Sequence, residues 1–286
     1  MSRLRILLAT GLFGLACVTF PASGEDWPRW RGPDGTGVSR ELGIAASWAD
    51  AAPKLAWQTT GIGHGYSSVV TSGDVLITTG RVDGNVVCFA LNSNTGKKNW
   101  ETVIGETSRN VMSTPTIHDG RVYAVDPDGE LVCLRLADGK ILWERSYLKD
   151  FGGRLMSGRG YGESPLIDGD RVLVTPGGAD AMIVALNRKT GETIWKSPFP
   201  KMGGLGRDGA AFSSLNITTA AGIRQIVQLT GRGLVGIDAD SGKFLWGYDD
   251  ISNSTANIPT PIVKGDLVFC ANGYHAGAVL LRIEKD

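Results

Sequence analysis

The chain is expected to fold as an all-β propeller, with four complete four-stranded antiparallel blades and a partial fifth. Three observations carry that expectation. An eleven-residue segment recurs at Ala90–Trp100, Cys133–Trp143, Ala185–Trp195 and Gly236–Trp246, each with a glycine (Gly96, Gly139, Gly191, Gly242) four residues before the tryptophan. Five Ser or Thr starts, Ser68, Thr114, Ser164, Ser214 and Thr260, follow one another at 46, 50, 50 and 46 residues. Between them lie short runs rich in Val, Ile and Leu, punctuated by Gly and Asp, which read as strands and not helices. Four short strands repeated at this period describe a propeller blade. A solenoid of hairpins has shorter rungs.

The repeat can be read residue by residue. An apolar strand enters a polar turn, where the glycine supplies the positive φ that a tight turn requires. Asn92, Asn187 and Asp238, four before the glycine, are placed to tie the turn backbone through their side chains. Arg135 holds that position in the second copy, so a looser turn is expected there. The following strand carries the tryptophan. An isolated hairpin is marginal in water, so Trp57, Trp100, Trp143, Trp195 and Trp246 are expected to dock against neighbouring blades.

In chain order, residues 1–24 read as a secretion signal. Arg3 and Arg5 precede an apolar run from Ile6 to Phe20, and Ala22-Ser23-Gly24 forms a small-residue cleavage site. Cys17 after Leu15-Ala16 offers a site for a lipid anchor, although Gly14 stands where an aliphatic residue is preferred. Once the signal is removed, no stretch is long and apolar enough for a transmembrane helix. Residues 25–53, with Trp27, Trp30 and Trp48, are expected to form an irregular arm packed on the body.

The propeller occupies 54–286. Its blades span about 64–104, 111–148, 161–198 and 212–249, with a partial fifth at 258–286. Lys54-Leu55-Ala56-Trp57 resembles the last strand of a repeat whose first part is missing. The fifth unit stops before any Gly-x-x-x-Trp strand, so the two chain ends either pair to close a ring or leave it open.

The 286 residues have no formal net charge, which gives no reason to expect nucleic acid as a partner. Cys88, Cys133 and Cys270 lie in strands without metal-ligand spacing and are expected to be buried free thiols. Gly204-x-Gly206-x-x-Gly209 and Gly231-x-Gly233-x-x-Gly236 mimic a dinucleotide fingerprint, but neither opens a helix. Asp126-Pro127-Asp128-Gly129-Glu130 falls where a hairpin turn is needed and lacks the remaining ligands of a calcium loop. No metal site is expected, and no nucleophile–base–orienter set can be placed for catalysis. The candidate ligand-binding residues are His64, Tyr66, Arg154, Arg159, Tyr161, Glu163, Arg207 and Asp208. They lie in Gly-rich connections expected to converge on one rim, where mixed charge and aromatics suit a peptide or small polar ligand.

The Ala-Leu-Asn-x-x-Thr-Gly-x-x-x-Trp-like segments resemble the tryptophan-docking motif of the PQQ-like β-propeller repeat family, which includes quinoprotein alcohol dehydrogenases and BamB-like exported proteins. Asp26-Trp27-Pro28-Arg29-Trp30-Arg31-Gly32-Pro33 is similar to the opening of exported bacterial members. Those relatives have seven or eight blades, so the resemblance implies a C-terminally shortened ring. The BamB-like members imply a non-catalytic binding or scaffold module with no cofactor. Its place would be the periplasm or the outer membrane, and its partners periplasmic or outer-membrane proteins or peptides. The alternative is a quinoprotein oxidoreductase, or a remnant of one, with PQQ and a calcium ion held by Glu, Asn and Asp beside an adjacent Cys-Cys pair. This sequence has no such pair, and repeat homology by itself assigns no cofactor.

Overall fold

A computed structural model describes residues 24–44, 47–48 and 52–285. The expected signal up to Ser23 and the anchor candidate Cys17 lie outside the described residues. Each repeat is an antiparallel meander. The first sheet is β1 (Val70–Ser72), β2 (Val75–Val82), β3 (Asn85–Asn92) and β4 (Lys98–Glu106); the second is β5 (Thr116–His118), β6 (Arg121–Val125), β7 (Glu130–Arg135) and β8 (Ile141–Ser146). A short helix, α1 (Tyr147–Phe151), leads to the third sheet: β9 (Leu166–Asp168), β10 (Arg171–Val174), β11 (Ile183–Asn187) and β12 (Thr193–Ser197). The fourth is β13 (Asn216–Ala220), β14 (Ile223–Leu229), β15 (Leu234–Asp238) and β16 (Phe244–Tyr248), and the three-stranded fifth is β17 (Ile262–Lys264), β18 (Leu267–Asn272) and β19 (Gly277–Arg282).

Successive side chains of a strand point to opposite faces, and here each face meets a different neighbour. Tyr123 and Val125 join an apolar cluster shared with the third sheet, whereas Val122 and Ala124 join one shared with the first. Two further clusters link the third sheet to the fourth and the fourth to the fifth. Middle strands are therefore buried on both faces and read as unbroken apolar runs, as in β3.

One register runs through all five sheets. The residue two after each start pairs across the sheet as Val70, Ile77, Ala90, Trp100; as Thr116, Tyr123, Cys133, Trp143; as Leu166, Leu173, Ala185, Trp195; and as Asn216, Val227, Gly236, Trp246. A bulge follows the tryptophan pair in all four sheets, inserting Asn99, Leu142, Ile194 or Leu245 and re-aiming the ring. The residue opposite each indole is the small one of the repeat. A Cβ at Gly236 would fall on the Trp246 indole.

Each ring then reaches the next sheet. A Cβ on Gly96, Gly139, Gly191 or Gly242 would come within 3.0 Å of the indoles of Trp57, Trp100, Trp143 and Trp195 respectively. All four glycines are left-handed, with φ from 68° to 75°. Trp57, Trp100 and Trp143 also donate Nε1–H to the carbonyls of Ser93, Leu136 and Arg188 at 2.9, 2.9 and 3.1 Å. The fourth such carbonyl, Ala239, accepts from Arg171 at 2.8 Å instead, and Trp195 Nε1 is buried without a partner. Trp246 faces the sheet that lacks a Gly turn and donates to Gln225 of its own sheet.

The turns follow the side-chain logic of the repeat. The Oδ1 atoms of Asn92, Asn187 and Asp238 each accept two backbone N–H groups. In the second copy an ion pair between Arg135 and Asp138, 2.9 Å, spans the turn. Asp126 Oδ1 likewise accepts from the Asp128 and Glu130 amides, so this stretch is a hairpin turn.

Among the described residues the arc is not closed. The register row of the fifth sheet, Ile262, Phe269 and Leu280, is 51%, 40% and 61% exposed, while the corresponding apolar residues of the other sheets are buried. The segment around Trp57 rests on the first sheet and has no strand partner. The arm spans the opening. Trp27 exchanges backbone hydrogen bonds with Thr71, Pro28 accepts from the Ile117 amide, and Trp30 and Arg31 donate to the hydroxyl and carbonyl of Thr260.

Two residues expected on the rim lie inside. Glu163 is fully buried and Tyr161 is 3% exposed, because the connection after α1 folds back over the second and third sheets. Glu163 accepts from the Thr175 amide at 2.6 Å, the Thr175 hydroxyl at 2.8 Å and the Tyr147 hydroxyl at 3.2 Å. Gln228 in β14 donates to Thr175 at 2.8 Å, so one network ties three sheets. Burial without a cationic partner raises the Glu163 carboxyl to about 7 against these donors. Burial also raises Asp126, whose Oδ2 has no partner, to about 6.

Two predictions follow from this packing. Gly191→Ala adds a Cβ against Trp143 in a left-handed backbone. It should destabilise the fold by about 1–3 kcal/mol through the clash and by roughly 1–2 kcal/mol through the backbone. Gly169→Ala, with φ of 58° and open space around it, should cost the backbone contribution alone. Urea midpoints compare the two. The second concerns pH. A carboxyl whose folded pKa is raised makes the native state bind the extra proton, so stability falls as pH rises from about 4.5 through about 7. For Glu163 the loss is on the order of 3 kcal/mol, and Glu163→Gln should flatten it in denaturation curves taken between these pH values.

Candidate functional site

The five starts bring their preceding residues to one place. Tyr66, Met112, Gly162, Phe212 and Ile258 each stand two residues before a start. They lie around the convergence of the inner strands, and all five border a cavity of about 630 Å³. Trp30 and Arg31 of the arm border it as well, and Phe269, Cys270 and Tyr274 complete the wall at the fifth sheet. Gly162 leaves a gap that its neighbours occupy: a Cβ there would meet Phe212 at 3.0 Å and Met112 at 3.5 Å.

Below this apolar ring runs a belt of hydroxyls built by the starts themselves. The amides of Ser68, Thr114 and Ser164 donate to the hydroxyl of the next start, Thr114, Ser164 and Ser214, at 3.1, 3.1 and 3.0 Å. Thr260 accepts from Trp30 Nε1 at 3.3 Å. The Ser/Thr periodicity thus has a physical origin. A hydroxyl is needed where one inner strand meets the next, and it is short enough to reach a backbone N–H.

Of the candidate residues named from sequence, the cavity gathers Tyr66, 74% exposed, and Arg159. His64 is held by a two-way backbone bridge to Arg81 with an exposed side chain. Arg154 and Arg207 are bonded through their backbones to Pro176 and Gly231, and their side chains border no part of the cup. Asp208 is paired with Arg232 at 2.7 Å. Tyr161 and Glu163 serve the core network described above. The apolar ring was missed by a reading that followed charge and aromatics. Its signal, a fixed offset from the starts, was present in the repeat. Trp30 and Arg31 carry no such signal, because only the fold shows where the arm returns.

The donor set of the cup also bears on cofactor chemistry. Its lining holds two arginines, hydroxyls and apolar groups but no carboxylate, so it offers calcium no carboxylate ligand and the chemistry no carboxylate base. Cys270 is a lone free thiol, pushed up to about 12 by burial, and Cys88 and Cys133 are free and buried elsewhere. Among the described residues no three His, Cys, Asp or Glu side chains group as metal ligands. These residues do not fit PQQ with calcium.

The comparisons with known proteins agree with this architecture. At 31% identity over 238 residues the chain matches outer membrane protein assembly factor BamB of Burkholderia pseudomallei (strain K96243), covering 80% of this chain and 58% of that protein. At 25% over 228 residues it matches BamB of Yersinia pestis, covering 77% and 55%. The chain therefore spans somewhat more than half the length of these curated relatives. Among solved structures, BamB from Moraxella catarrhalis superposes with a TM-score of 0.55 at 20% identity, over 77% of this chain and 60% of that one. Quinohemoprotein alcohol dehydrogenase from Comamonas testosteroni gives 0.62 at 17%, over 86% and 46%; at these identities the likeness is one of fold. A family model described as outer membrane protein assembly factor BamB matches residues 34–152 and 90–285. With nearly the whole propeller under that match, the chain belongs to the BamB family of β-propellers.

Proposed function

We propose that this chain is an exported, non-catalytic propeller that serves as a binding scaffold in outer-membrane protein assembly, engaging periplasmic or outer-membrane polypeptides at the cup. Family membership supports the process, through the name its relatives carry. The single observation that carries the binding mode is the cup itself: an open cavity walled by Trp30, Tyr66, Met112, Phe212 and Ile258 and free of carboxylates. Exposed aromatic and apolar side chains ringed by polar groups mark interaction sites. No helix among the described residues is long and apolar enough to cross a membrane. Cys17 in the signal region offers a lipid-anchor site through which the chain would associate with the membrane.

Two measurements test this reading. A photo-crosslinking amino acid at Tyr66 should capture outer-membrane proteins or their assembly machinery in intact envelopes, identified by mass spectrometry. The same probe at Arg135, the last residue of β7 before the turn to the fourth strand, should not. Absence of such crosslinks from Tyr66, or equal capture from both sites, would count against it. Calorimetry with PQQ should show no calcium-dependent binding.

A further inference from the structure

We propose that the cup binds an oxyanion-headed amphiphile, its apolar chain held by the ring of Met112, Phe212 and Ile258 and its head held by the hydroxyls of Thr114, Ser164, Ser214 and Thr260 beside Arg159. This goes beyond a role in protein assembly, and either can fail without the other.

A Ser or Thr hydroxyl carries one donor and two acceptor lone pairs. Each of the four hydroxyls accepts one N–H, from Ser68, Thr114, Ser164 and Trp30 Nε1. None of them donates its own proton to an acceptor among the described residues. Thr114, Ser164 and Ser214 are 1%, 5% and 5% exposed, yet all four border the cavity. Buried donors are normally spent. Here three buried hydroxyls and the half-buried Thr260 lie in consecutive sheets at one register position, and their common outlet is the same space. A ligand that satisfies them must bring acceptor oxygens.

Charge selects the kind of acceptor. Arg159 borders the cavity, is exposed, and has no ion pair or hydrogen bond among the described residues. Arg31 gives N–H groups to the carbonyls of Thr260 and Thr36 and brings a second positive charge. No Asp or Glu lines the site to neutralise either of them. Hydrogen bonds from hydroxyls and guanidinium to an anionic oxygen are stronger than those to a neutral one. The remaining wall is apolar, and the volume lies within the range of about 300–1,000 Å³ usual for small-molecule sites. An anion with an apolar chain satisfies both halves.

The test is isothermal titration of the full chain with decanoate, decyl phosphate and decanol. At least one anion should bind about ten-fold or more tightly than decanol; which anion does so distinguishes a carboxylate ligand from a phosphate one. The Ser164→Ala, Ser214→Ala double variant should weaken the anion by about ten-fold and leave decanol unchanged. Arg159→Gln should weaken it and reduce its salt dependence. Arg135→Gln, outside the cup, should have no effect. If the serine variant loses its native circular dichroism, the comparison of anion with alcohol on the unaltered chain decides alone. Equal affinity for anion and alcohol, or no binding of either anion up to about 1 mM, overturns the proposal.

Discussion

An indole lying on a left-handed glycine of the adjacent sheet is the contact on which the rest of this structure depends. The middle strands of each meander are apolar on both faces, and those faces are covered only by the neighbouring sheets. Burying a tryptophan face contributes roughly 2–3 kcal/mol, and it does so across sheets, so stability resides in the junctions. The requirement explains several residues at once: glycine where the ring lands, a small residue opposite the ring, a bulge to aim it, and a carbonyl to receive its N–H. Trp195 shows the tolerance of the arrangement. Its carbonyl has been taken by Arg171, and the ring stays on Gly242 by packing.

Much of this could be read from the sequence, because repetition multiplies a weak signal. One Gly-x-x-x-Trp means little; four copies at matching positions between strands fix strand order, turn chemistry and the stacking direction. The turn ties at Asn92, Asn187 and Asp238 were legible for the same reason. The site was legible only in part. Tyr66 and Arg159 were found because they are conspicuous, whereas Met112, Phe212 and Ile258 look like ordinary apolar residues until the offset from the starts is noticed. Glu163 and Tyr161 were misplaced because a charged residue in a Gly-rich connection reads as exposed. Burial of that connection depends on α1 and on Thr175 and Gln228 from other sheets, which no local pattern encodes.

The cup and the core network answer the burial of polar groups in opposite ways. Glu163 is surrounded by three donors and held by protein alone, so its role ends in the fold. The start hydroxyls are used on one side only, and they face a space that the protein leaves unfilled. This contrast separates a structural carboxylate from candidate ligand-binding groups more clearly than composition or exposure does.

The arm gives the molecule an order in time. Trp30 and Thr260 are separated by 230 residues, so the arm gains its Thr260 anchor only once the first strand of the fifth sheet is in place. Closing so long a loop is among the slower steps of folding. Until it happens the cup lacks Trp30 and Arg31 of the arm and Phe269 and Tyr274 of the fifth sheet from its lining, so competence to bind would arrive with the fifth sheet and not accumulate sheet by sheet.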